Sequence, residues 1–183
     1  MGRYLPRFLV GLARWRTTMG WLFYLCAVML GRGGRLQIAC GLFLCVVGES
    51  FRTAASGIIR KNRELATGGP YAMCRHPLYF GSFLIAAGLA AGAAHPAVWA
   101  AFLLLFPTVY GVTMRQEEAH LATVFGPAYE QYRARVPLFF PGRVRLVPAA
   151  FSWRRAVENG EHLNWIALLA SWTLLIARYR WRA

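Results

Sequence analysis

Residues 78–114 read LYFGSFLIAAGLAAGAAHPAVWAAFLLLFPTVYGVTM, a stretch without Lys, Arg, Asp or Glu that is broken once, at His95-Pro96. Each half approaches the roughly 20 apolar residues that carry a helix across a bilayer. Proline lacks an amide hydrogen and pushes the residue before it out of the helical region, so His95-Pro96 is the turn between two helices. A chain that crosses twice returns to the face it left. The hairpin therefore places Arg115, Glu117 and Glu118 on the same side as Arg75, His76 and Tyr79.

Working outward, Thr17 to Gly31 and Leu36 to Gly48 form a second apolar pair around the turn Gly31-Arg32-Gly33-Gly34-Arg35. Both runs are short for a full span, which implies extension into flanking residues or a thinned bilayer. Glu49 to Arg75 is polar, with a helical start giving way to a loop at Ala66-Thr67-Gly68-Gly69-Pro70. Leu163 to Ala177 is a last short apolar run, ending in Arg178-Tyr179-Arg180-Trp181-Arg182. It is either a fifth span or an interfacial or re-entrant helix, because spanning would put three arginines on the far side. The reading is an all-α, polytopic membrane bundle of four or five transmembrane helices in a single domain, 1–183. Within it, 1–51 is an N-terminal hairpin, 52–142 a core and 143–183 a C-terminal extension.

The 183 residues are 57% hydrophobic, with 21 Lys+Arg against 7 Asp+Glu, a formal charge of +14. The arginines sit at the ends of apolar segments, where they snorkel or meet anionic headgroups, so nucleic acid is not the expected partner. Membrane lipids are, and no protein partner is expected. Arginines crowd the N-terminus, 52–75 and 133–155, while the 93–97 connection has neither Lys nor Arg, which points the 52–75 face toward the cytoplasm. Arg3, Arg7, Arg14 and Arg16 surround too short an apolar patch for a cleavable signal peptide. Cys26, Cys40, Cys45 and Cys74 lack ligand-like spacing, and no metal site is expected.

The polar chemistry concentrates in Gly69-Pro70-Tyr71, Arg75-His76-Pro77-Leu78-Tyr79-Phe80-Gly81, Glu117-Glu118, Phe125-Gly126, Tyr129, Tyr132, and Arg135-Val136-Pro137 with Pro141. In this order and spacing the blocks resemble the isoprenylcysteine carboxyl methyltransferases and related phospholipid methyltransferases, over roughly residues 52–142. The resemblance implies an integral membrane enzyme that transfers a methyl group from S-adenosylmethionine to a lipophilic acceptor. It further implies a cofactor pocket facing the cytosol, here expected to be built from the third and fourth helices and their flanks, and the expected location is a bacterial cytoplasmic membrane. Carried over by position, the cofactor contacts fall on Glu64, Leu65, Ala66, Tyr71, His76, Pro77, Leu78, Tyr79 and Glu117.

Those residue types suit that ligand. Glu117 accepts from an ammonium or ribose, His76 and Tyr79 donate, and Tyr71 offers a ring to adenine or to the sulfonium. Direct methyl transfer needs alignment and desolvation rather than a protein nucleophile, and Arg115 is a weak catalytic candidate. Adjacent helical residues diverge, so one of Glu117 and Glu118 faces the pocket, and motif position selects Glu117. The alternative for the pair is a solvated face with Arg115 or other arginines. Arg75, Arg133 and Arg135 are anion clamps or lipid anchors; Tyr129 and Tyr132 line the pocket or pack a segment against the bilayer. Glu49 needs a partner such as Arg52 if buried. His95, His120 and His162 read as structural or solvated.

One departure bears on the acceptor. Family members acting on prenylated cysteine carry an arginine four residues before the pocket glutamate; here that residue is Thr113. A phenolic lipid, a lipid amine or another hydroxyl compound fits at least as well as a free carboxylate. Two other readings stand beside this one. Membrane sterol reductases carry a similar Arg-His-Pro-x-Tyr block and bind NADPH, though they are longer and the acidic pair points to the methyl donor. The other is a non-enzymatic membrane subunit.

Overall fold

The structure, a computed structural model, describes residues 16–60, 63–142 and 147–182. Arg3, Arg7 and Arg14, named above for the N-terminus, lie outside them. The described residues form helices α1 (Arg16–Leu30), α2 (Arg35–Ile58), α3 (Pro77–Ala93), α4 (Pro96–Phe125), α5 (Pro127–Arg135), α6 (Trp153–Glu158) and α7 (Glu161–Arg182). A 3-10 turn covers Gly69–Ala72, and there is no strand among the described residues. Helices α2 and α4 are long and apolar enough to cross a membrane; α1 and α3 are shorter apolar helices.

The hairpin of residues 78–114 forms as its sequence dictates. Pro77 and Pro96 occupy the first turns of α3 and α4, where the missing amide hydrogen costs nothing. His95 caps α4 by accepting from the Ala97 amide, a structural role. Helix α2 differs from its apolar run: it continues ten residues past Gly48, through Glu49 and Arg52, to Ile58. The polar residues of that extension find partners on other helices. Arg52 donates to Glu161 of α7 (2.7 and 3.3 Å) and to Ser82 of α3 (2.5 Å), while Glu49 accepts from Thr53 (3.4 Å) and from Asn164 of α7. The pairing considered for Glu49 with Arg52 is thus replaced by two ties to α7.

The tightest seam joins α2 to α3. A methyl placed on Gly88 would stand 2.5 Å from the Gly41 carbonyl oxygen, and one on Gly48 would stand 2.6 Å from that of Gly81. Only hydrogen at these positions lets the backbones approach so closely, the usual device for joining helices where lipid supplies no hydrophobic drive between them. Around Cys45, Ile85 and Leu89 at this seam, Ala27, Phe102 and Trp172 close the main core. Outward, Leu22, Leu25, Phe43, Leu103, Leu104, Ile166 and Leu169 remain exposed, an apolar belt around the bundle.

Helix α7 runs beside this bundle from end to end. Its first residue, Glu161, holds Arg52, and near its last turn Arg178 and Arg182 donate to the Gly31 carbonyl (3.2 and 2.7 Å). At 22 residues it extends about 33 Å at the α-helical rise. The Arg32 amide in turn donates to Ala93 (2.6 Å), so both hairpin turns and the C-terminal arginines share one end. That end carries Arg32, Arg35, Arg178, Arg180 and Arg182, which a charge count over 93–97 alone does not register.

Gly88→Ala tests the seam. Overpacking of this kind costs roughly 1–3 kcal/mol, so the variant is expected to unfold at lower temperature in detergent. Gly111→Ala, where nothing lies within 4 Å of the new methyl, is expected to leave the midpoint unchanged or raise it.

Candidate functional site

The site begins where the chain leaves α2. Gly69 adopts φ +57°, a left-handed value that favours glycine, and starts the 3-10 turn carrying Tyr71. The turn is pinned from α5 and the segment after it: Tyr132 Oη donates to the Tyr71 carbonyl (2.7 Å), and the Arg75 amide donates to the Pro137 carbonyl (2.9 Å). His76 then occupies the N-cap position of α3, with Pro77 fixing the first turn. At the far end of α4, Gly126 at φ +50° turns the chain into α5, bringing Tyr129 and Tyr132 back toward the C-terminal part of α4.

Glu118 joins these stretches. Its carboxylate meets Arg75 (3.3 Å), His76 Nε2 (3.2 Å) and Arg133 (3.8 Å), and accepts from Tyr129 Oη. Glu117, one residue earlier, accepts from Tyr79 Oη and lies 3.5 Å from His76 Nδ1. The rings of His76 and Tyr79 lie nearly parallel, 5.6 Å apart. Glu118 is 13% exposed at its side chain and Glu117 46%, so the two carboxylates divide: one holds the frame, the other opens onto free space. Arg115, the weak catalytic candidate, is exposed on α4 and is not part of the cavity wall.

That space is a cavity of about 750 Å³. Glu64, Leu65, Ala66, Tyr71, His76, Pro77, Leu78, Tyr79 and Glu117 all line it. Its wall also includes residues that the sequence reading did not place there: Trp21, Phe23 and Tyr24 of α1, Arg52 and Ser56 of α2, and Glu161 and Asn164 of α7. His120, read as structural or solvated, is on the wall as well. Tyr132 is a lining residue, while Tyr129 is fully buried at Glu118. Arg75 is neither an exposed lipid anchor nor an open clamp, being 10% exposed and engaged with Glu118.

Burial alone would lower the His76 pKa, but hydrogen bonds and charge attraction from Glu117 and Glu118 outweigh it and raise the value above that of an ordinary histidine. Burial likewise pushes the Tyr71 phenol up, helped by the neighbouring Tyr132 and Glu117, so it stays protonated at neutral pH. Two buried polar atoms on lining residues, Tyr71 Oη and Arg75 Nε, lack a hydrogen-bond partner among the described residues. Buried donors are rarely left unmet, which sets these two apart among the described residues. No group of three His, Cys, Asp or Glu that could hold a metal occurs among the described residues.

With this geometry, the chain matches the family model described as phospholipid methyltransferase over residues 15–128. The chain belongs to the phospholipid methyltransferase family. The match takes in the N-terminal hairpin, where the motifs alone show only general hydrophobic character. Among curated proteins, the chain is 40% identical over 100 residues to the cobalt-zinc-cadmium resistance protein CzcN of Cupriavidus metallidurans, covering 55% of this chain and 45% of that one. It is 35% identical over 94 residues to the protein-S-isoprenylcysteine O-methyltransferase of Schizosaccharomyces pombe, covering 51% and 40%. The mouse protein of the same name is 30% identical over 115 residues, covering 56% and 41%. The chain thus spans less than half the length of these relatives. No solved structure matches it.

The raised His76 pKa has a sign. A histidine whose folded pKa exceeds its unfolded value contributes stability fully present below about pH 6.5, and that contribution is lost as pH rises through the folded value. Thermal unfolding between pH 6 and 9 is expected to show the midpoint falling with pH in the native chain and a flatter profile in His76→Gln. Equal slopes would mean that His76 is not held as the imidazolium.

Proposed function

We propose that this family member is an integral membrane methyltransferase that uses S-adenosylmethionine to methylate a lipophilic acceptor. The observation that carries the reading is the convergence, on one cavity wall, of Glu117, His76 and Tyr79 with the unpartnered Tyr71 Oη and Arg75 Nε. The donor set fits the ligand. A half-exposed carboxylate suits an ammonium or ribose, two buried donors suit a carboxylate or ring nitrogen, and the Tyr71 and Tyr79 rings supply the aromatic surface a sulfonium favours. Leu65, Ala66, Pro77 and Leu78 give the apolar lining around them.

When bound, S-adenosylmethionine supplies a methyl group on a cationic sulfur, open to direct displacement by the acceptor. The chain contributes placement and exclusion of water. Glu118 fixes the His76 ring from behind, Tyr79 fixes Glu117, and the burial of His76, Tyr71 and Tyr79 keeps the local dielectric low. The reductase reading is less well supported, because Glu117 would oppose the phosphates of NADPH while Arg75 is engaged with Glu118.

The proposed topology has α1–α4 and α7 crossing the membrane, supported by the apolar belt and by the end-to-end course of α7. The cavity end then faces the cytoplasm. Arg60, Arg63, Arg75, Arg115, Arg133, Arg135, Arg154 and Arg155 lie on that side, outnumbering the arginines of the opposite end. Similarity to proteins of bacteria such as Cupriavidus metallidurans supports a bacterial cytoplasmic membrane.

Titration calorimetry of the purified protein with S-adenosylmethionine, S-adenosylhomocysteine and NADPH tests the reading. The first two are expected to bind and NADPH is not. Glu117→Ala and His76→Ala are each expected to weaken S-adenosylhomocysteine at least about tenfold, the equivalent of one lost charge-assisted contact, while the protein remains folded. Unchanged affinity in both variants would remove the cavity as the cofactor site.

A further inference from the structure

At the end of the bundle opposite the main cavity, a smaller cavity of about 180 Å³ opens between the α1–α2 turn, the last turns of α3 and the C-terminal turns of α7. Its wall includes Arg32, Ile38, Gly92, Leu175, Tyr179 and Arg182. It lies roughly 30 Å from the Arg52–Glu161 pair, measured along α7 at the α-helical rise, and shares no lining residue with the proposed cofactor site. Pockets for drug-sized ligands take about 300–1,000 Å³, so this one admits only a small group.

The charge at this end is one-sided. Residues 16–48, 86–110 and 165–182, which include this half of the bundle, contain no Asp or Glu, while Arg32, Arg35, Arg178, Arg180 and Arg182 gather at its end. Arg178 and Arg182, one turn apart on α7, both turn toward the Gly31 carbonyl, donating from Nε (3.2 Å) and Nη1 (2.7 Å). Like charges four residues apart on a helix oppose each other, and snorkelling alone would carry both outward. A single carbonyl oxygen does not neutralise two guanidiniums. Each has five N–H donors and commits one here. The Arg32 side chain and the Tyr179 hydroxyl, both on the wall, make no hydrogen bond or ion pair among the described residues.

From this convergence of unopposed donors we infer that the small cavity is an anion site, and that its occupant is the phosphate of one anionic phospholipid, bound as a structural ligand rather than a substrate. Guanidinium forks match phosphate oxygens, and the Tyr179 hydroxyl adds a neutral donor. A zwitterionic headgroup would bring its own cation against five arginines, so the site selects an anionic one. Apolar surface identifies a lipid rather than a free phosphate: Leu30, Leu36 and Leu174, sequence neighbours of the lining residues, are exposed and offer a track for acyl chains. In the proposed topology the site lies in the leaflet facing away from the cytoplasm, where so many arginines run against the usual charge distribution unless an anion meets them. Bound there, the phosphate ties the α1–α2 turn to the C-terminus of α7, the helix whose first residue holds Arg52 on the main cavity wall. The inference stands apart from the methyltransferase reading and rests only on the membrane placement of the bundle.

The test uses the full chain, delipidated in an uncharged detergent, with three probes: dioleoylphosphatidylglycerol, dioleoylphosphatidylcholine and inorganic phosphate. Thermal unfolding gives the stabilisation, and native mass spectrometry counts the lipids retained. Phosphatidylglycerol is expected to raise the midpoint and to leave one molecule bound, while phosphatidylcholine and inorganic phosphate do neither at the same concentration. Arg32→Gln and, separately, Tyr179→Phe are expected to weaken phosphatidylglycerol by about tenfold, the equivalent of one lost charge-assisted contact. Neither side chain has a protein partner, so both variants are expected to keep the native midpoint without lipid. The double variant Arg135→Gln/Arg154→Gln, at the cavity end, is expected to respond to phosphatidylglycerol like the native chain. Equal stabilisation by the two lipids, or an equal loss of response in the cavity-end variant, overturns the inference in favour of diffuse charge attraction. Saturable binding of inorganic phosphate as tight as that of phosphatidylglycerol overturns the lipid as occupant. Native lipid affinity in both Arg32→Gln and Tyr179→Phe overturns the site.

Discussion

One carboxylate holds the polar face of this protein together. Glu118, at the C-terminal part of α4, is met by Arg75 and His76 from the segment entering α3 and by Tyr129 and Arg133 from α5. The partners come from two separate stretches of sequence, and Arg75, His76 and Tyr129 are largely withdrawn from water, where charge-assisted hydrogen bonds are strong and an unpaired carboxylate is costly. Removing the carboxylate would leave Arg75 without its counter-charge, leave His76 with Glu117 alone, and remove the side-chain ties from α5 to Glu118 of α4. Because Glu118 takes this framing role, its neighbour Glu117 remains half exposed toward the cavity.

The second constraint is the contact of α2 with α3. Glycines at 41, 48, 81 and 88 let the two backbones touch, and Gly81 also leaves room for the stem of Arg52. That proximity puts the Arg52 guanidinium within reach of both Ser82 and Glu161, so a basic residue from the polar end of α2 becomes an internal wall of the cavity instead of a surface anchor. The cavity therefore has one part framed by Glu118 and another framed by Arg52, joined in one space.

Much of this was legible in the sequence because some signals are local. A charge-free stretch broken by His95-Pro96 admits few structures other than a hairpin, and crossing twice brings Arg75-His76 and Glu117-Glu118 to one face without further information. The angular separation of adjacent helical residues predicts that the two glutamates part company. What stayed hidden depends on partners more than 100 residues away. The reach of α2 beyond Gly48 is invisible in a window containing Glu49, Arg52 and Thr53, since these residues are satisfied by Asn164, Glu161 and Trp165 of α7. For the same reason the sequence offers Arg52, a near neighbour, as a partner for Glu49, and does not disclose the shares of α1 and α7 in the cavity wall. The charge count over 93–97 missed Arg32 and Arg182 because only the fold gathers the two turns and the C-terminus at one end.

The most direct test of the central claim is transfer itself. The purified protein would be reconstituted in nanodiscs made from bacterial lipid extract, incubated with S-adenosylmethionine carrying a labelled methyl group, and the organic phase separated and counted. The account predicts label in a lipophilic product, dependent on Glu117 and suppressed by S-adenosylhomocysteine. Label confined to the aqueous phase, or equal transfer by Glu117→Ala, would contradict it.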